Sequence, residues 1–363
     1  MLRRIALCAS LAAVFGGPVS AQDSPELPKV NILSCEKSCA KWTEPKPKDR
    51  HYGIFPGSEE ESWGQEGMAE SFVLIRFTVS VDGHVKDPVL VRLIGPPAFG
   101  KASLNAVSNW EYEPATADGV PVERPNWYAV FTYRVPGATG ARPEVYRAFN
   151  KAKDLLSESK FSEVDALLVP ILSKPRLLFY ERAMVSLLLS ISHGLQKDYF
   201  VARDYAEDAN LMNGAFLPPE AREQAIRQRI RLEAATGQYG DALEWCEKLK
   251  ALNKGKLADD DHEVQLAARI NKRLADPQPI NVSGYISSNR PLPTWNHVLL
   301  RRHFAFPVIT GKLNQFQLDC DENKIVSPIT SKAEWHVPTS WSNCNLRVEG
   351  DPGTTFQLVE ANE

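Results

Sequence analysis

From Phe72 to Val81 apolar and polar positions alternate. Val73, Ile75, Phe77, Val79 and Val81 make one wholly apolar face, and Phe72, Leu74, Arg76, Thr78 and Ser80 make the other. A period of two is that of an extended strand, and the apolar face is the one to bury. Asp82-Gly83 follows, a favoured hairpin dipeptide because glycine takes positive φ without steric cost. Val85, Val89 and Val91 continue into a return strand. Phe99, Ala102, Leu104, Ala106, Val107 and Trp110 then recur at helical spacing and give one helix an apolar stripe. Pro114 ends that pattern. The run Trp127, Tyr128, Ala129, Val130, Phe131, Thr132, Tyr133 and Arg134 carries bulky residues on both faces, as a strand does. Strand, hairpin, strand, helix, strand predicts a three-stranded antiparallel sheet under one helix. Its last strand is a possible open edge, where an extended peptide of another chain can add.

This stretch resembles the C-terminal domain of the TonB family. The matching pieces are FVLIRFTVSVDGHV at 72–85, the Phe99-x-x-Ala102-x-x-x-Ala106 helix, WEYEPA at 110–115 and DGVPVE at 118–123. The resemblance, over about 45–136, implies that a short segment of an outer-membrane transporter, the TonB box, adds as a strand beside Trp127–Arg134. The aromatic residues at 127, 128, 131 and 133 would then grip alternate side chains of the guest.

Over 143–275 the period becomes helical throughout. Phe161-x-x-Val164-x-x-x-Leu168-x-x-Ile171, Tyr199-x-x-Ala202-x-x-x-Ala206-x-x-Ala209 and Tyr239-x-x-Ala242-x-x-x-Cys246-x-x-Leu249 share one pattern, with starts 38 and 40 residues apart. This is similar to the second helix of tetratricopeptide repeats, although the spacing is longer than the usual ~34 residues. Stacked hairpins bury a core that none could bury alone, and such solenoids bind protein segments. From 278 onwards strand patterns return, at Ile280–Ile286, Val298–Leu300, Phe316–Leu318, Leu346–Val348 and Thr355–Leu358, with prolines marking the turns.

The N-terminus changes the setting. Arg3-Arg4, an apolar run from Ile5 to Gly17 and Val19-Ser20-Ala21 read as a secretory signal peptide cut after Ala21. The alternative is an uncleaved inner-membrane anchor. Residues 22–50 hold four prolines, too few for a periplasm-spanning spacer. Formal net charge is −3, and −5 once Arg3 and Arg4 are removed, with no basic stripe, so nucleic acid is not an expected partner.

Export also frames the cysteines. Cys320 and Cys344 lie in one β-rich segment and are the expected disulfide. Cys35 and Cys39 could close a small ring, and no second pair of ligands nearby favours a metal there. Cys246 falls on a helix face and reads as a buried thiol. No nucleophile elbow, phosphate loop or dinucleotide fingerprint is present, and the seven histidines are scattered. His297 and His303 are the closest pair without a ligand spacing, and Arg301-Arg302-His303 reads as a solvated edge. Glu59-Glu60-Glu61 reads as a loop and Asp259-Asp260-Asp261 as a helix start.

These patterns predict an α+β multidomain chain: signal peptide 1–21, tail or linker 22–50, TonB C-terminal-like domain 51–138, helical-repeat solenoid 143–275 and small disulfide-linked β domain 278–363. The expected protein is not an enzyme and carries no cofactor or metal. It works in the Gram-negative periplasm with no stable membrane span. Its expected partner is a protein, either a segment of an outer-membrane TonB-dependent receptor or another envelope protein held by the helical repeats.

Overall fold

A computed structural model of the chain describes the backbone of residues 29–32 and, further on, residues 42–50, 69–135, 140–174, 176–320, 323–331 and 333–362. The signal-peptide stretch, Cys35, Cys39 and Glu59-Glu60-Glu61 lie outside these residues.

The stretch read as a linker contributes strands β1 (Lys29–Ile32), β2 (Trp42–Thr43) and β3 (Lys46–Asp49). There follow β4 (Ser71–Val79), β5 (Val85–Ile94), α1 (Pro97–Ser108), β6 (Glu111–Glu113), β7 (Ala115–Ala117), β8 (Val120–Val122) and β9 (Arg124–Tyr133). β4 is the centre of a three-stranded antiparallel sheet of order β5-β4-β9. Val73, Ile75, Phe77 and Val79 of β4 are buried against Phe99, Ala106 and Val107 of α1, as the alternation predicts. Val81 is exposed instead, because β4 ends at Val79 and Val81 belongs to the turn. The turn itself needs its glycine. Gly83 has φ +88°, and a Cβ there would lie 2.0 Å from the carbonyl oxygen of Tyr112. β2 pairs with β7 and β3 with β6, so residues 42–49 run along the exit from α1.

The middle of the chain is helical: α2 (Pro143–Ser157), α3 (Phe161–Leu172), α4 (Phe179–Leu195), α5 (Tyr199–Ala209), the single turn α6 (Leu211–Gly214), α7 (Pro219–Ala235), α8 (Tyr239–Leu252) and α9 (His262–Ala275). Three turns, between α2 and α3, α4 and α5, and α7 and α8, share one construction. Ser159, Lys197 and Gly237 each take positive φ, at 58°, 64° and 81°. The next residue donates its N–H back to the helix it has left: Lys160 to Leu155 O (2.9 Å), Asp198 to His193 O (3.0 Å), Gln238 to Glu233 O (2.8 Å). That is the left-handed helix stop that satisfies terminal carbonyls. The three aromatic-started helices then bury matching positions: Val164, Leu168 and Ile171; Ala202, Ala206 and Ala209; Ala242, Cys246 and Leu249. Asp261 caps α9 by accepting the N–H of Glu263 at 3.0 Å, in line with the acidic helix start.

The C-terminal strands are β10 (Ile280–Tyr285), β11 (Thr294–Val298), β12 (His303–Thr310), β13 (Leu313–Asp319), β14 (Lys324–Pro328), β15 (Ala333–His336), β16 (Asn345–Gly350) and β17 (Thr355–Ala361). They form two sheets, β1-β15-β12-β17-β10 and β11-β16-β13-β14, with β1 entering parallel to β15. Both sheets contribute to one core that includes Phe304, Phe306, Phe316, Trp335 and Trp341. The Cys320–Cys344 disulfide joins the end of β13 to the start of β16, where Asp319 pairs with Asn345. Cys246 is free and buried, and burial pushes its thiol up to about 11.

The triplet Arg301-Arg302-His303 is not a solvated edge. Arg301 is 6% exposed and donates to the carbonyl of Pro277, while its own N–H and that of Leu300 meet the Glu360 carboxylate. The sequence hides this because Glu360 is about sixty residues away along the chain.

Candidate functional site

β9 is the last strand of its sheet, and no other described strand pairs with its outer side. Its attachment to the domain is firm. Ala129 and Phe131 are buried on the α1 side, with Trp127 and Tyr133 partly buried beside them. Phe131 lies 5.5 Å from Trp110 and 6.2 Å, stacked, from Tyr133. Tyr133 OH and Ser103 Oγ share a hydrogen bond of 2.7 Å, and burial raises the Tyr133 phenol above its ordinary value. Arg124 grips the Glu44 carboxylate with Nε and Nη2 at 2.6 and 2.9 Å, and its guanidinium covers Trp127.

The aromatic residues therefore divide differently from the expectation that all four grip a guest. Trp127, Phe131 and Tyr133 belong to the domain's own core. Tyr128 is on the opposite face, where Tyr128 and Val130 are 44% and 53% exposed. Arg134 lies just beyond the strand, over the ring of Phe216 at 5.4 Å.

On an edge strand every second backbone N–H faces away from the sheet. Val135 donates its N–H to Glu70 Oε1 at 3.3 Å, next to the start of β4. Two-residue alternation along an extended chain then turns the N–H groups of Tyr133 and Phe131 towards β4, and those of Thr132 and Val130 outward.

Both neighbouring regions meet this sheet. Between Trp127 and Arg124 the strand bulges, with Asn126 at φ +58°. A bulge re-aims a side chain. Here Asn126 Oδ1 accepts from Arg347 Nη2 at 2.7 Å, Arg347 also bonds Tyr128 OH, and Asn126 Nδ2 bonds Gln317. Arg76 meets Glu349 at 2.9 Å. These bonds cross a gap of about 240 Å³ between the sheet and the C-terminal strands β13 and β16. At the other end Phe72 and Ile94 pack on Phe179 and Leu211 of the helices. The second face of β4, polar enough to pass for a surface, is thus an internal contact.

Residues 65–133 match the family model of the Gram-negative bacterial TonB protein C-terminal. This part of the chain is a TonB C-terminal-like domain. The match stops at β9 and leaves the helical and C-terminal regions outside it. A solved structure, the solution NMR structure of Pseudomonas aeruginosa TonB CTD, is similar at 18% identity over 30% of this chain and 97% of that one, with a TM-score of 0.22. Among curated proteins, none matches the chain.

In the TonB-like domain the expected edge residues Trp127 to Tyr133 fall within one strand. Arg347, Asn126 and Gln317, which fix one end of that strand to the C-terminal region, carried no sequence signal. Their contact joins positions about two hundred residues apart. Among the described residues no helix is long and apolar enough to cross a membrane.

Proposed function

We propose that this is a Gram-negative envelope protein whose TonB-like domain takes up an extended segment of an outer-membrane transporter beside β9. The observation that supports the reading is a TonB-like domain ending in an edge strand with no other described strand on its outer side. Main-chain bonding needs little from the guest sequence, and guest side chains on the outer face would lie beside Tyr128, Val130 and Thr132. The basic start, short apolar run and Val-Ser-Ala end at the N-terminus support a periplasmic setting.

The test is Val130→Pro. Proline removes one outward N–H and leaves the ladder to β4 its donors. Titration calorimetry with TonB-box-like peptides should show binding weakened about tenfold or more, with circular dichroism unchanged. Equal affinity in wild type and variant would remove the edge from the mechanism.

A second reading rests on the groove between α4 and α7, about 590 Å³, lined by Ile191, Tyr199 and Leu232 beside an exposed Leu195. There the helices act as a scaffold for another envelope protein. It gains if no peptide binds the wild type while Leu195→Asp abolishes capture of an envelope partner.

A further inference from the structure

The fold brings together two imidazoles that no sequence spacing pairs. His303 opens β12 and His336 closes β15, and the two strands run antiparallel with these residues directly opposite each other. Such side chains stand on one face with Cβ atoms about 4.5–5.5 Å apart. His336 Nδ1 lies 2.7 Å from His303 Nε2, with ring centroids 4.3 Å apart and planes inclined by 53°. Both rings are half-buried, so solvent and ions still reach them.

We propose that His303 and His336 form a two-histidine site for a divalent transition-metal ion, copper(II) in preference to zinc. Imidazole nitrogens suit copper, nickel and zinc, and the affinity order of a given site peaks at copper(II). The spacing points the same way. With metal–nitrogen bonds of about 2.0 Å, two ligands at right angles stand about 2.8 Å apart, whereas a tetrahedral pair stands about 3.3 Å apart. Square-planar copper(II) therefore fits the observed distance better than tetrahedral zinc. Among the described residues no group of three or more His, Cys, Asp or Glu side chains is placed to hold a metal ion, so the proposed site has two protein ligands from these residues. Glu334 is two residues before His336 on the same strand, hence on the same face, and its carboxylate offsets part of the ion's charge. Arg302, the residue before His303, donates to the carbonyls of Pro338, Thr339 and Trp341. A bound ion would tie β12 to β15 beside β1, whose Ile32 pairs with His336.

The test uses the whole exported chain, stripped with a chelator, with Cys35→Ser and Cys39→Ser introduced to exclude binding by those thiols. Inorganic copper(II) is titrated by calorimetry and examined by electron paramagnetic resonance. One ion per chain is expected, with hyperfine coupling from two imidazole nitrogens, tighter than zinc and raising the melting temperature. His303→Ala and His336→Ala should each weaken it about tenfold or more. His303→Gln keeps a side chain able to hydrogen-bond His336 and should also lose the ion, with circular dichroism as the folding check. A plain hydrogen bond between the imidazoles gives the same distance but none of these results. No copper binding, binding indifferent to these substitutions, a one-nitrogen spectrum, or tighter zinc would overturn the proposal.

Discussion

At the scale of single residues, Asp241 is a carboxyl held against its ionised form. Its Oδ2 is buried without a hydrogen-bond partner, 3.9 Å from His297 Nδ1. Burial, and then the charge of Glu233, push its carboxyl up to about 6, against the pull of Arg203, His297 and Arg229. A carboxyl raised on folding binds its proton more tightly in the folded state. Its ionisation therefore costs stability above about pH 6, and that cost fades as pH falls from about 6 towards the ordinary value of 3.8. Two pH units correspond to at most about 3 kcal/mol, and the 23% of the side chain still open to water keeps the effect below that bound. Asp241→Asn should therefore raise the melting temperature at about pH 8 and lose about half of that advantage at about pH 5. Thermal unfolding of both proteins across that range checks it, and a gap independent of pH would rule the account out. Nothing around Asp241 in sequence marks this behaviour. Tyr239-Gly-Asp-Ala242 reads as an ordinary acidic first turn, and the burial comes from β11, over fifty residues later.

At the scale of elements, the helix stripes were legible and the turns before them were not. The aromatic starts and small residues of α3, α5 and α8 follow from local rules: a left-handed stop, then an apolar stripe. Gly237 occupies the same turn position as Ser159 and Lys197, yet it alone of the three turns presses on another region. A Cβ there would stand 2.3 Å from the backbone oxygen of Asn281 in β10. Gly237→Ala adds left-handed strain of about 1–2 kcal/mol to a backbone collision. Lys197→Gly relieves the same strain at an exposed turn and should stabilise by up to about 1 kcal/mol. Urea midpoints of the two variants should move in opposite directions. Equal shifts, or a stabilising Gly237→Ala, would contradict the shared geometry. The C-terminal strands were read less completely. β12, β14 and β15 escaped because they are interrupted by prolines or flanked by charge. β1 lies in a stretch that reads as tail because a four-residue run has no period of its own, and among the described strands β15 is its partner.

At the scale of the whole molecule, α5 is the joint. Glu207 meets Arg290 of the C-terminal region, Arg229 of α7 at 3.2 Å, Arg203 at 4.0 Å and Arg92 of the TonB-like sheet at 3.9 Å. Arg92 also bonds Asp208, while Arg290 and Ser287 meet Asp204. Burial pushes the Glu207 carboxyl up, but Arg290, Arg229, Arg203 and Arg92 outweigh it and hold the carboxyl well below the usual range. Its stabilising charge is thus present from the ordinary carboxylate range upward and lost only in stronger acid. Removing one member of such a cluster leaves buried charges without compensation, at a cost of about 3–5 kcal/mol. Glu207→Gln should lower the melting temperature and broaden or split the calorimetric transition, as the sheet and the C-terminal strands loosen from the helices. A single unfolding peak at the wild-type temperature would show that apolar contacts alone hold the regions together.

The sequence by itself determined the TonB-like sheet and helix, the identity of its last strand, the apolar stripes of three helices and the disulfide. Each is set by neighbours close along the chain, by turn chemistry, or by two cysteines in one exported segment. Only the tertiary structure decided which face of β4 is covered, that Trp127, Phe131 and Tyr133 turn inward, and that Arg347 reaches Tyr128. It alone set His303 against His336 and Glu207 among four guanidiniums. The histidines are 33 positions apart and Arg347 is 219 from Tyr128. Such relations arise from strand register and from the packing of one region on another, which local periodicity does not encode.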